Sequence, residues 1–138
     1  MIKNKIKMIR YFTWGEFDKS VEYIAYKCKF LEFSGIYGVP RGGLCLAVAL
    51  SHKLKIKLIS EPQKNSLIVD DVYETGITLN TYKDIDGAMF FVLFSKIKPT
   101  WWNTVNISDK REWIIFPWEN TENHQNDRNE YIKKRELI

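Results

Sequence analysis

Apolar positions along this chain alternate between a helical and an extended spacing. Phe17, Val21, Ile24 and Ala25 recur three or four residues apart, and Cys28 continues the stripe. That period predicts a helix from about Trp14 to Lys29. Thr13 precedes it as an N-cap candidate, with Glu16 at the capping-box position. Ser34–Val39 predicts a short strand, stopped by the turn sequence Pro40-Arg41-Gly42-Gly43. Leu44–Leu54 is apolar nearly all round, the pattern of a buried helix. Ile56–Ser60 predicts a second strand, and Glu61–Ser66 is a polar connection. Leu67–Val69 predicts a third strand, and Thr78–Ile85 a short helix ended by Asp86-Gly87. Ala88–Phe94 is continuously apolar, which fits a strand covered on both faces. Ser95–Trp118 reads as an aromatic, irregular segment. Asn120–Ile138 is polar and reads as a loose tail with one weak helix near Asn129–Leu137. Strands alternating with helices predict an α/β fold with a mostly parallel central sheet.

Length and composition narrow this picture. A chain of 138 residues suits one domain with a real core, and 45% apolar with 28% charged residues is ordinary for a globular protein. No apolar run approaches the ~20 residues needed to span a bilayer. Met1–Arg10 is basic but has no apolar signal-peptide core. The expectation is a cytoplasmic protein without a membrane partner. The net charge of +4 comes largely from scattered lysines. This favours a solvated basic surface over nucleic-acid binding and suits a polyanionic small substrate. Cys28 and Cys45 form no CxxC pair and have no His cluster beside them, so they read as two buried thiols and not as a zinc site. His52 lies in the apolar helix and reads as structural; His124 carries no argument.

Candidate chemistry concentrates in Leu67–Leu79. A buried strand is followed by Asp70-Asp71 and then by a Thr/Gly turn, Thr75-Gly76-Ile77-Thr78. The acids suit sugar hydroxyls or a metal ion, or form a solvated or helix-capping pair. The turn suits a phosphate held by backbone N–H groups, or serves only as a tight turn with an N-cap. In an open α/β sheet ligands bind beyond the carboxyl ends of the strands. Arg41-Gly42-Gly43, Asp70-Asp71 and Lys96 each follow or end a predicted strand, so all three should gather on one edge of the sheet.

On these residues the chain resembles the type I phosphoribosyltransferases. Leu67–Leu79 is similar to their phosphoribosyl-pyrophosphate signature, and Gly38–Gly43 to their pyrophosphate loop. Phe94-Ser95-Lys96 and Trp113–Glu119 resemble the purine-salvage branch, in particular the xanthine–guanine and hypoxanthine enzymes. The resemblance implies a single phosphoribosyltransferase domain over residues 1–119, with a small C-terminal hood at about 95–119 and a polar tail at 120–138. It implies transfer of ribose 5-phosphate from phosphoribosyl pyrophosphate to a 6-oxopurine, with Mg2+ and with release of pyrophosphate. Tyr73, Glu74, Thr75, Gly76, Ile77 and Thr78 would hold the 5′-phosphate, and Arg41, Gly42 and Gly43 the pyrophosphate. Asp70 and Asp71 would face the metal, directly or through water and ribose hydroxyls, and would serve catalysis with Glu74. Glu74 stands where many relatives carry Asp and would accept a proton from the purine. Lys96, Trp113 and Ile114 would read the base. The resemblance further implies a cis Pro40–Arg41 peptide and a homodimer or tetramer.

One departure leaves a second reading open. Many such enzymes carry a long loop before this signature that closes over the site, whereas here Glu61–Ser66 is six residues. A non-catalytic nucleotide- or phosphoribosyl-pyrophosphate-sensing module of the same fold is the alternative, as is transfer to another base.

Overall fold

The computed structural model describes residues 8–119; the first seven residues and the tail, with its expected helix and His124, lie outside the described residues. The described elements run in chain order β1 (Met8–Tyr11), α1 (Trp14–Cys28), β2 (Ile36–Gly38), α2 (Leu44–Leu54), β3 (Leu67–Tyr73), α3 (Ile77–Asn80), β4 (Met89–Ser95), β5 (Asn103–Ile107) and β6 (Glu112–Ile115). Contacts divide the chain into two compact units, Asp18–Ser108 and Met1–Phe17 with Asp109–Ile138. The boundary at Ser108 falls inside the segment expected as a hood.

The larger unit holds an all-parallel sheet of order β2-β3-β4-β5. Its centre matches the apolar runs. Leu67, Ile68 and Val69 on β3 and Phe90 to Ser95 on β4 are all buried, as expected of strands covered on both faces. Tyr37, Val39, Ile68, Tyr73, Leu79, Phe90, Val92 and Trp102 form one apolar cluster. Among the described residues no helix is long and apolar enough to cross a membrane.

Several expectations are corrected. Ile56–Ser60 makes only an isolated bridge, Ile36 to Leu58, because Lys57 and Leu58 sit exposed at the edge beside β2 and pair over too short a length. The third strand continues past Val69 to Tyr73, with Val72 and Tyr73 pairing to Phe94 and Ser95. The helix expected over Thr78–Ile85 stops at Asn80. There the Thr81 hydroxyl donates to the Thr78 carbonyl at 2.7 Å and the chain tightens into three-residue turns. The supposedly irregular Ser95–Trp118 contains β5 and β6. β5 was hidden by its asparagines, whose amides donate back to carbonyls of β4: Asn103 to Phe90 at 3.0 Å and Asn106 to Leu93 at 3.1 Å.

α2 has the expected bounds but is not buried all round. Leu46, Ala47 and Leu50 face the core, while Leu44, Val48 and His52 are exposed. A helix lying on one face of a sheet buries one stripe only. Of the two thiols, Cys28 is buried and Cys45 only partly so; burial pushes the Cys28 thiol up to about 11. α2 ends at Lys55 in the left-handed conformation, φ 57°, its N–H bonded to the Ser51 carbonyl. A side chain is disfavoured there, so Lys55→Gly should stabilise the protein by about 1 kcal/mol, read as a higher urea midpoint at unchanged slope.

In the smaller unit β1 and β6 pair in parallel, from Met8 opposite Glu112 to Tyr11 opposite Ile115. The capping box forms as the sequence predicts. Glu16 N–H donates to Thr13 Oγ1 at 3.1 Å, and Thr13 N–H to Glu16 Oε1 at 3.0 Å. The Thr13 amide holds the Glu16 carboxyl below its ordinary range. Phe116 stacks on Trp118 with centroids 4.9 Å apart, and Phe12 meets Phe116 edge-on.

Candidate functional site

The loop after β2 is built on glycine for want of room. Val39 N–H donates to Val69 O at 2.9 Å and carries the chain alongside β3; Gly43 N–H then returns to Val39 O at 2.8 Å. The Pro40–Arg41 peptide is cis, at the bond the family resemblance singled out. A Cβ on Gly43 would strike the Val69 carbonyl and lie 3.0 Å from Asp70 Cα. A Cβ on Gly42 would strike the Asp71 carboxylate. The two glycines therefore let the loop lie directly on the acidic pair. The Arg41 side chain is exposed.

Asp70 and Asp71 lie within β3 and not beyond its end. Each carboxylate accepts the next residue's amide: Asp71 N–H to Asp70 Oδ1 at 2.8 Å, and Val72 N–H to Asp71 Oδ1 at 2.7 Å. Burial is the first cause raising both carboxyls. Asp70 is pushed further by the charge of Asp71, to about 9. In the ligand-free protein the pair thus holds a proton that ordinary aspartates have lost at neutral pH. A cation would replace that proton. Among the described residues no group of three His, Cys, Asp or Glu side chains converges to hold a metal. Two adjacent hard oxygen donors fit an ion that takes its other ligands from water and substrate.

Beyond β3 the chain turns sharply. Glu74 is half-buried; Thr75, Ile77 and Thr78 are exposed. Gly76 sits at φ +79°, where a Cβ would strike the Tyr73 hydroxyl. Its carbonyl accepts from Asn80 N–H at 2.8 Å, and Ile77 N–H reaches Thr75 Oγ1 at 3.4 Å. Leu79, buried, anchors the turn in the core.

Lys96 follows β4 directly. It is buried, at 7% exposure, which overturns the default of a solvated lysine at a strand end. Its backbone N–H donates to Tyr73 O at 2.8 Å, which ties the end of β4 to that of β3. Arg41–Gly43, Asp70–Thr78 and Lys96 all lie at the carboxyl edge of one parallel sheet, within one compact unit. Trp113 and Ile114 lie on β6 in the other unit, half-buried and buried, opposite Ile9 and Arg10. Ser95 and Trp102, to which sequence alone assigns no role at the site, are buried against it: the Trp102 indole donates to Ser95 Oγ and stacks on Tyr73.

No protein-family model matches the chain. Solved structures do. A purine phosphoribosyltransferase from Pyrococcus horikoshii Ot3 matches at a TM-score of 0.70 with 28% identity, over 83% of this chain and 95% of that one. The Helicobacter pylori xanthine-guanine-hypoxanthine phosphoribosyltransferase matches at 0.66 with 18% identity, over 86% of this chain and 99% of that one. The chain has the type I phosphoribosyltransferase fold. A hypothetical protein from Neisseria gonorrhoeae with bound ppGpp shares it, at 0.69 with 17% identity over 89% of this chain and 96% of that one. Phosphoribosyltransferases for adenine and orotate share it as well. These neighbours support the phosphoribosyltransferase enzyme class for the chain, and they span several bases.

Proposed function

We propose that the protein transfers ribose 5-phosphate from phosphoribosyl pyrophosphate to a 6-oxopurine, releasing pyrophosphate. The observation that carries this reading is the packing of Gly42 on the Asp71 carboxylate. It sets the glycine loop that follows Arg41 beside two carboxyls. Arg41 and the Gly42-Gly43 backbone hold the pyrophosphate, with the guanidinium supplying charge-assisted donors. Asp70 and Asp71 accept from the ribose hydroxyls and face Mg2+. When bound, Mg2+ neutralises charge on the leaving pyrophosphate. The backbone of Tyr73 to Thr78, with the hydroxyls of Thr75 and Thr78, holds the 5′-phosphate, and Gly76 allows it close approach. The transition state gathers positive charge on the ribose, which the acids stabilise. Glu74 accepts the proton that the purine sheds. Lys96 donates to the 6-oxo group; it is the family resemblance that gives the purine ring and its 2-position to Trp113 and the Ile114 backbone. The hood at about 95–119, a dimeric or tetrameric state and a cytoplasmic location belong to the same reading.

The test is Mg2+-dependent synthesis of monophosphate from guanine, xanthine or hypoxanthine, with adenine and orotate as comparison bases. No turnover of the first three by folded protein would sink it. Lys96→Met should lower kcat/KM for 6-oxopurines by about 100-fold, a scale set by leaving the base's acceptor unpaired in a buried site. Unchanged base selectivity in that variant would point to a different base.

A specific observation favours the sensing module as a second reading. The Glu61–Ser66 connection is six residues long, and its Gln63–Ser66 end is pinned beside the start of β3. Ser66 Oγ donates to Gln63 O at 2.6 Å, Asn65 N–H to Asp86 O at 3.0 Å, and Ser34 N–H to Asn65 O at 2.9 Å. The Neisseria gonorrhoeae protein of this fold has ppGpp bound. Tight nucleotide binding without synthesis would establish this reading in place of the first.

A further inference from the structure

We propose that Trp102 is a positioning residue shared by the two ligand-binding loops, holding the Glu74–Thr78 turn after β3 through its ring and Lys96 after β4 through its indole N–H. The assignment of phosphate to the first and base to the second rests on the phosphoribosyltransferase reading; the mechanical link does not.

β3 and β4 end level with one another. Tyr73, their last paired residue on β3, is opposite Ser95, and the next amide, that of Lys96, donates to Tyr73 O. Each loop therefore departs from one member of this terminal pair, and Trp102 grips both members. Its ring stacks on Tyr73 with centroids 3.7 Å apart and planes 12° from parallel. Its Nε1 donates to Ser95 Oγ at 3.1 Å. Ser95 Oγ in turn donates to the Ile97 carbonyl, so the hydroxyl spans Lys96 and fixes the turn that carries it. On the other side the Tyr73 hydroxyl lies under Gly76, close enough that a Cβ there would strike it.

All four residues of this buckle, Tyr73, Ser95, Lys96 and Trp102, are buried. Trp101 closes it from the outside, edge-on to Tyr73 and to Phe90. A close-packed stack leaves neither ring room to shift. The hydrogen-bond chain is directional: an indole N–H only donates, and the single serine proton is committed to Ile97, so the Ser95 lone pairs receive the indole. Packing alone would be served by phenylalanine. A tryptophan whose N–H is aimed at the residue before Lys96 does something more.

The experiment separates the two arms of the buckle. Trp102→Phe keeps a ring on Tyr73 but loses the donor, and Ser95→Ala loses the acceptor. Trp102→Phe should raise KM for the base about five- to tenfold, the value of one buried hydrogen bond, and Ser95→Ala, which also loses the bond to Ile97, at least as much, with KM for phosphoribosyl pyrophosphate changed less than about twofold in both. The double variant should be no worse than Ser95→Ala alone. Tyr73→Phe, which removes the hydroxyl under Gly76, should raise KM for phosphoribosyl pyrophosphate and spare the base. Equal effects on both KM values, additive single effects, or a lowered melting temperature with both KM values intact would overturn the proposal. Wild-type turnover is the separate check on the function. If it is absent, dissociation constants of Mg2+–phosphoribosyl pyrophosphate and of GMP on the same variants give the same split or refute it. A wild-type protein that binds neither ligand overturns both.

Discussion

Replacing Asp70 with Asn is expected to abolish synthesis while raising the melting temperature of the ligand-free protein at pH 8. Both effects have one cause. Burial, and then the neighbouring Asp71 charge, raise the Asp70 carboxyl to about 9 in the folded chain, while the unfolded chain has an ordinary aspartate. Below the ordinary aspartate range both states are protonated and the pair costs little. As pH rises, the unfolded state loses its proton first and is favoured. The stability associated with a protonated Asp70 is therefore present at pH 4 and is lost progressively as pH rises toward 9. Asn cannot ionise and removes that loss. The variant should gain roughly 1–3 kcal/mol over wild type at pH 8, shrinking toward zero near pH 4. Mg2+ with phosphoribosyl pyrophosphate should stabilise wild type by answering the paired charge, and the variant much less. Its kcat/KM should fall at least about 100-fold, the scale of a lost contact to transition-state charge. Melting curves at pH 5 and pH 8, with and without ligand, check all of this. A variant no more stable than wild type at pH 8 would show that the pair is not a strained, ligand-awaiting site.

How much of this site could be read from the chain depended on whether the signal was local. The capping box at Thr13 and Glu16, the bounds of α2 and the buried β4 follow from spacing a few residues long, and the structure reproduces them. So does the placing of Arg41–Gly43, Asp70-Asp71 and Lys96 on one edge, because parallel connectivity forces successive strand ends to the same side. What the chain concealed was set by partners distant in sequence. β1 is four residues long and exists by pairing with β6, about a hundred residues away. Asn103 and Asn106 look like loop residues until β4 offers them carbonyls. Nothing local to Lys96 signals its burial, which is set by the elements that cover it. The exposed Leu44 and Val48 failed the opposite way, since an all-apolar helix gives no sign of which stripe the sheet will take.

Gly42→Ala and Gly43→Ala are expected to fail differently, although the two glycines are adjacent. Neither has positive φ: among the described residues that conformation is confined to Lys55, Asn65, Gly76 and Gly87. The cost is therefore one of space alone. A methyl on Gly43 meets only main chain: the Val69 carbonyl, Val39 N at 2.9 Å and Asp70 Cα at 3.0 Å. These atoms belong to the sheet edge and cannot turn aside, so the loop must lift off β3. The loss should be roughly 2–4 kcal/mol, close to that of an overpacked core, and much of the protein should be unfolded or insoluble. A methyl on Gly42 meets the Asp71 carboxylate and nothing else as close. That group can rotate, so Gly42→Ala should fold with a loss of about 1 kcal/mol or less. Its rotation moves an oxygen that the proposed reaction needs and puts carbon where the pyrophosphate would lie. Synthesis should fall at least about 100-fold, with the loss mainly in kcat/KM for phosphoribosyl pyrophosphate. Urea unfolding beside steady-state kinetics distinguishes the pair. A stable and fully active Gly42→Ala variant would remove the loop-on-carboxylate contact from the site, and with it the main support for pyrophosphate binding there.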